Sequence, residues 1–288
     1  MVTIKDMLEW GTQTLMDVDG YGARLDAQVL LEHVLGVERS TLYTYPEREV
    51  TAEQEQPFRA LIERRLRGEP VAYLIGHREF YGLDLLVDKR VLIPRPETEL
   101  LVEAALRALR NKLAAGQTPI VADIGTGSGA IPIALAVTEP RLPYLYACDI
   151  SPAALEVARL NCQRHHVAER VRLLQGDLLA PLSEPVDILT ANLPYVGTEE
   201  IDLLTADVYD YEPHLALFSG PNGLGLLQRF CTQARQSGTL KQDAVMLLEI
   251  GYQQKEAVTQ ILRELWPDAS ITSEKDYAGW ERLVQVVV

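Results

Sequence analysis

From Ile120 onward, runs of strand-forming residues alternate with stretches of helical period, and the first run ends in Asp123-Ile124-Gly125-Thr126-Gly127-Ser128-Gly129. Few architectures accommodate that order. A strand, a helix and another strand in repeated succession give an α/β domain with a largely parallel sheet, because parallel neighbours need a crossover connection. The pattern predicts strands near 120–124, 144–149, 171–175, 186–191, 244–250, 269–273 and 282–288. Helices are predicted near 129–138, 152–165, 222–237 and 253–265. The stretch 196–221 fits neither period and contains Pro213 and Pro221, which predicts a loop or insertion over the carboxyl edge of the sheet.

Upstream the pattern differs. Between Thr3 and Gly68 apolar residues recur at helical spacing, as in Leu25, Val29, Leu30 and Val34, and again in Phe58, Leu61, Ile62 and Leu66. This predicts a small all-α domain over residues 1–75, with Thr51 and Gln54 forming a capping box and Gly68 closing the helix that follows. Residues 78–93 alternate apolar and polar around Gly82 and Asp88-Lys89, the signature of a β-hairpin linker over 76–95. After Pro94 and Pro96 a helix is expected from Glu97 to Ala115, and the last domain spans 96–288.

Composition narrows the function classes. The 41 acidic against 27 basic residues give a formal charge of −14, which repels a phosphate backbone at long range, so stable nucleic-acid binding is not expected. Arg59, Arg64, Arg65 and Arg67 form a basic run that is either a solvated face or a contact for an acidic partner. Cys148, Cys162 and Cys231 are odd in number, lack metal-ligand spacing and read as small core residues. His33, His77, His165, His166 and His214 show no paired nucleophile or metal spacing, so no metal is expected. The amino terminus has neither signal-peptide nor transit-peptide character, and no apolar run reaches bilayer length, which predicts a cytoplasmic protein.

The glycine loop admits two cofactors. Gly125, Gly127 and Gly129 lie in the turn between a strand and a helix, where missing side chains permit unusual dihedrals and close approach of a ligand. Gly125-x-Gly127-x-x-Ala130 with Asp149 some twenty residues on also satisfies a relaxed dinucleotide fingerprint. Asp123 shifts the balance, because a carboxylate there repels a pyrophosphate but accepts hydrogen bonds from the ammonium group of an amino acid. A methionine moiety, as in S-adenosyl-L-methionine, suits the loop better. Asp149 is then placed to accept from both ribose hydroxyls, and Asp177 from the adenine amino group, with Leu178 near the ring; Asp177 as a helix or turn cap is the competing reading.

A second element, Asn192-Leu193-Pro194-Tyr195, emerges at the carboxyl end of the almost wholly apolar strand 186–191. An amide nitrogen is a poor nucleophile because its lone pair is delocalised into the carbonyl, so a catalyst must stabilise the charge that develops on nitrogen. The Asn192 side-chain oxygen and the Leu193 carbonyl each accept one N–H, and Tyr195 supplies a flat apolar wall for a planar group. No base is needed beforehand, since the nitrogen becomes acidic once methylated. A strand-ending turn, with Asn as cap and Pro as stiffener, is the plainer alternative.

Taken with Arg65-Leu66-Arg67-Gly68-Glu69-Pro70-Val71-Ala72-Tyr73-Leu74-Ile75-Gly76, Glu79-Phe80-Tyr81-Gly82 and Leu92-Ile93-Pro94-Arg95-Pro96-Glu97-Thr98-Glu99, these elements make the chain resemble the release factor glutamine methyltransferases along nearly its whole length. Leu248-Glu249-Ile250-Gly251 and Glu212-Pro213-His214-Leu215-Ala216-Leu217 also look like family features. The resemblance implies a Rossmann-like class I methyltransferase domain and methylation of the glutamine of the Gly-Gly-Gln loop in peptide chain release factors. It implies cofactor contacts at Gly125, Thr126, Gly127, Ser128, Gly129 and Asp149, with Asp177 or Leu178 at the adenine. Asn192 to Tyr195 would hold the amide, Arg95 and Thr98 would line the cleft, and the helical domain would form one wall of the release factor groove. One departure stands out: the family usually has two prolines in the tetrapeptide, and position 193 is Leu here. Asn-Leu-Pro-Tyr is also similar to the tetrapeptide of ribosomal RNA adenine-N6 dimethyltransferases, which keeps an adenine-N6 methyltransferase acting on RNA or DNA as the alternative.

Overall fold

The computed structural model describes residues 1–19 and 22–288 and divides into two compact units. One comprises Met1–His77 with Thr205–Tyr211, the other Arg78–Leu204 with Glu212–Val288.

The first unit is helical. It contains α1 (Ile4–Asp19), α2 (Ala23–Leu35), α3 (Arg39–Thr44), α4 (Ala52–Leu66) and α5 (Val71–Ile75), with the short helix Ala206–Tyr211. Its core joins Ile4, Met7 and Leu15 to Leu30, Leu31, Phe58 and Ile62, the apolar stripes expected of amphipathic helices. Helix α4 begins as its sequence signals: the Thr51 N–H donates to Gln54 Oε1 at 3.1 Å. Three of the four arginines of the basic run are paired within the unit. Arg59 pairs with Glu55 and lies 4.0 Å over the Trp10 ring, Arg64 pairs with Glu69, and the largely buried Arg65 pairs with Asp26.

Where the second unit begins, β1 (His77–Phe80) and β2 (Leu83–Leu86) form the expected hairpin and precede α6 (Glu99–Ala114). The hairpin is shorter than the alternation suggests. Val87, Val91 and Ile93 keep the two-residue rhythm because their side chains are buried, but they lie beyond β2 and in no strand. There follow β3 (Val121–Ile124), α7 (Ala130–Thr138), β4 (Leu145–Asp149), α8 (Pro152–Arg164), β5 (Val171–Gln175) and β6 (Val186–Ala191). The chain then runs through α9 (Gly225–Gln236), β7 (Leu240–Glu249), α10 (Lys255–Leu265), β8 (Ser270–Lys275) and β9 (Glu281–Val287).

These seven strands form one sheet in the order β5-β4-β3-β6-β7-β9-β8, parallel except for β9, which is antiparallel to both its neighbours. Along β3 alternate side chains enter opposite layers: Val121 packs with α6 and α7, while Ala122 and Ile124 pack with α9 and α10. Cys148, Cys162 and Cys231 are buried in these layers, and burial pushes each thiol up to about 12. The stretch 196–221, expected as a loop or insertion, carries 3-10 turns and the short helix Ala206–Tyr211. Among the described residues no helix is long and apolar enough to cross a membrane.

Candidate active site

Strand order reverses between β3 and β6, with β4 and β5 on one side and β7 on the other, so the carboxyl ends of β3 and β6 flank a topological switch point where open α/β sheets bind ligands. Ile124 is in register with both Cys148 and Ala191, which brings the glycine loop, Asp149 and Asn192 to one edge. A cavity of about 250 Å³ opens there. Its wall includes Gly125, Gly127, Asp149, Asp177, Leu178, Asn192, Leu193 and Pro194.

The loop is held in shape by its backbone. Gly125, Gly127 and Gly129 all have left-handed dihedrals, with φ of 75°, 55° and 82°. The Gly125 and Thr126 N–H groups donate to the Cys148 carbonyl at 2.9 and 3.0 Å, and the Gly127 N–H donates to Asp149 Oδ2 at 2.8 Å. Gly125 is doubly constrained, since a Cβ there would lie 3.1 Å from Leu193 Cδ2 and 3.5 Å from the Asn192 carbonyl oxygen. The leucine that stands where the family usually has a proline therefore packs its side chain against the glycine loop. Asp149 also accepts the Ser151 N–H at 2.9 Å; burial raises its pKa above the ordinary carboxylate value, and these backbone donors oppose the rise.

Asp123 is placed otherwise than its role as an ammonium acceptor required. It is fully enclosed in the middle of the sheet and outside the cavity wall, where its Oδ1 accepts from Thr190 Oγ1 at 2.7 Å. Oδ2 has no partner among the described residues, and burial pushes the carboxyl up to about 6. Asp177 is exposed and ion-paired with Arg229 of α9, both at the cavity wall; Leu178 beside it is buried with a left-handed φ of 51°, a conformation that costs a residue with a side chain.

Neither Arg95 nor Thr98 lines the cavity. Thr98 is buried behind Asn192 and accepts its Nδ2–H at 3.1 Å, while Arg95 pairs with the enclosed Glu212. Glu212 also accepts the Ile93 N–H at 3.2 Å, so it ties Leu92-Ile93-Pro94-Arg95 to the Pro213–Ala216 stretch, and both contribute to the cavity wall. Thr126, Ser128, Gly129 and Tyr195 support from outside the wall. The Tyr195 carbonyl accepts from Gln254 Nε2 at 2.9 Å, and a Cβ on Gly223 would come within 2.0 Å of that oxygen.

Three contributors carry no sequence signal of their role. Asn161 on α8 is fully buried; its Nδ2 donates to the carbonyls of Ser128 and Leu86, and its Oδ1 accepts the Leu86 N–H at 2.7 Å, joining the glycine loop to β2. Glu212 and Glu249 stand in motifs the sequence marks, but their burial and partners come only from tertiary structure. Among the described residues no cluster of three or more His, Cys, Asp or Glu is arranged to hold a metal ion.

This sheet order, the glycine loop at its switch point and the Asn-bearing turn across from it define a class I methyltransferase fold. The solved hMettl16 catalytic domain in complex with MAT2A 3'UTR hairpin 6 is similar in fold, with a TM-score of 0.57 at 14% identity over 80% of this chain and 81% of that one. Residues 6–76 match the family described as PrmC N-terminal domain, and residues 98–208 match the methyltransferase small domain. Proteins named release factor glutamine methyltransferase are similar throughout. That of Rhodopirellula baltica is 37% identical, covering 99% of this chain and 96% of its own, and that of Koribacter versatilis is 39% identical, covering 98% of each. That of Moorella thermoacetica is 42% identical over 90% of this chain and 89% of its own. The chain belongs to the release factor glutamine methyltransferase family.

Proposed function

We propose that this chain transfers a methyl group from S-adenosylmethionine to the side-chain amide nitrogen of the glutamine in the Gly-Gly-Gln motif of peptide chain release factors. The observation that carries the reading is Asn192 at the wall of the cavity beside the glycine loop, with its Nδ2 turned to Thr98 and its oxygen left for a substrate N–H. The similarity to full-length relatives supplies the substrate class.

The site fits the cofactor by its own chemistry: a left-handed glycine loop without side chains and a carboxylate at Asp149 on the cavity wall. Gly125, Thr126, Gly127, Ser128 and Gly129 would hold the methionine part, Asp149 the ribose, and Asp177 with Leu178 the adenine. Asp123 adds negative charge beneath the loop in favour of an ammonium group without touching it. When bound, S-adenosylmethionine supplies an electrophilic methyl group.

The chain's own work is orientation. Asn192 Oδ1 and the Leu193 carbonyl accept the two amide hydrogens, which turns the nitrogen lone pair out of conjugation and stabilises charge as it grows on nitrogen. Pro194 fixes the backbone between them, and the hold of Gln254 on the Tyr195 carbonyl fixes the turn from the other side. The proton lost from the methylated nitrogen is already acidic, so the turn needs acceptors more than a strong base. No observation favours the adenine-N6 alternative, because likeness to an RNA-bound catalytic domain at 14% identity shows fold alone.

The test separates binding from turnover. Asn192→Ala is expected to lower kcat on a release factor by about 100-fold or more, the scale of losing one charge-stabilising hydrogen bond, while the S-adenosylmethionine Kd measured by calorimetry stays within threefold. Equal loss in both would remove Asn192 from the amide-holding role.

A further inference from the structure

An asparagine amide is nearly symmetric in shape, yet only one of its two orientations presents oxygen to a substrate N–H. Something behind it must choose. Leu248 of β7 is in register with Ala191 of β6, so Glu249 and Asn192 stand side by side at the strand ends, with Thr98 against both.

We propose that Glu249 sets the polarity of the Asn192 amide: its carboxylate, acting through the Thr98 hydroxyl, holds Asn192 Nδ2 inward and so presents Oδ1 to the substrate. The inference rests on the reading of Asn192 as the amide acceptor.

Proton count fixes the orientation. Thr98 has a single hydroxyl proton, and Glu249 as a carboxylate offers only acceptors, so the Thr98 proton goes to Glu249. Thr98 then has only lone pairs for Asn192 and must be met by Nδ2–H, as the 3.1 Å bond shows. Asn192 also lies beside Glu249, and a carboxylate there favours the amide nitrogen on its side. Scaffold duty alone is a poor account of Glu249. It is 3% exposed, and its Oε2 has no hydrogen-bond partner among the described residues, an arrangement that costs stability and calls for another reason.

Protonation would reverse the relay. Burial pushes the Glu249 carboxyl up to about 7, opposed by Thr98, Arg282 of β9 and Asn192, and reinforced by Glu97 in the turn before α6; Tyr195 also faces it. A neutral Glu249 donates a proton to Thr98, Thr98 turns its own toward Asn192, and the amide is free to present nitrogen instead. The competent polarity is therefore held above about pH 7 and lost below it.

The experiment measures kcat from pH 5.5 to 9 at saturating S-adenosylmethionine and release factor, for the wild-type protein, Glu249→Gln, Thr98→Val and Thr98→Ser. Expected is a wild-type kcat that rises through about pH 7 to a plateau. Glu249→Gln should lose this limb, with a plateau about 10- to 100-fold lower and an S-adenosylmethionine KM within twofold. Thr98→Val should match it, and Thr98→Ser should restore both the limb and the rate. A Glu249→Gln protein with the wild-type limb and rate overturns the proposal, as does a Thr98→Val protein with both. Should Glu249→Gln fail to bind cofactor, the Thr98→Val and Thr98→Ser pair decides alone. Wild-type protein that leaves the glutamine unmethylated at every pH contradicts the functional reading instead.

Discussion

Replacing Asp123 with Asn should make the protein's stability respond to pH in a way that reveals a buried carboxyl in the sheet. Asp123 sits on β3 between β4 and β6, fully enclosed, with one oxygen bonded to Thr190 and the other unpartnered among the described residues. Burial lifts it from the ordinary 3.8 to about 6, against the opposing pull of the Thr190 hydroxyl. The folded chain thus holds this proton more tightly than the unfolded chain, so between about pH 4 and 6 the folded state carries more protons. Stability must then fall as pH rises through that window and stay lowered above it. At about 1.4 kcal/mol for each tenfold change in acidity, the penalty comes to about 3 kcal/mol. Asparagine has no proton to lose, and whatever its own amide costs in that site is the same at every pH. Urea unfolding of both proteins at pH 4, 5, 6 and 7, followed by circular dichroism, should show the stability of Asp123→Asn relative to wild type rising by about 2.4 kcal/mol across the series, most of that penalty. A difference that stays flat, or that shrinks, would refute the placement of an uncompensated carboxyl beneath the loop.

Other substitutions probe the supports of the cavity. Asn161→Ala strips Leu86 and Ser128 of buried hydrogen-bond partners and is expected to cost about 2–4 kcal/mol in urea unfolding, with a weaker S-adenosylmethionine Kd. Gly125→Ala meets both a left-handed backbone and Leu193, and should weaken cofactor binding about tenfold by calorimetry; adding Leu193→Ala should recover only the steric part of that loss. Arg95→Ala removes the Arg95 guanidinium from the enclosed Glu212 and should destabilise by about 3 kcal/mol, and adding Glu212→Gln should return part of it, as read by Tm.

Much of the architecture is written locally. The apolar run of β6 and the glycine punctuation after β3 carry their own period, and the Thr51 and Gln54 cap marks the start of α4 within a residue. Such signals survive because they depend on near neighbours in the chain. Where local and tertiary reasons diverge, the sequence misleads: Val87, Val91 and Ile93 alternate like a strand because the core takes their side chains, not because they lie in a strand. The site shows the same division. Gly125, Gly127, Asp149 and Asn192 converge as expected, because a parallel sheet brings its carboxyl ends together. Asp123 does not reach the cavity wall, since alternation along β3 places it between sheet and helices. Thr98 and Arg95 act from behind the wall, and Asn161, 33 residues from Ser128 and 75 from Leu86, bridges segments that no local pattern connects.

The central claim is amide methylation of a release factor by the Asn192 turn. Its most direct test is to incubate a purified release factor with this protein and S-adenosylmethionine, then map added methyl groups by mass spectrometry. The account predicts one methyl on the glutamine of the Gly-Gly-Gln loop, absent with Asn192→Ala. A wild-type protein that binds the cofactor yet leaves that glutamine unmodified would contradict it.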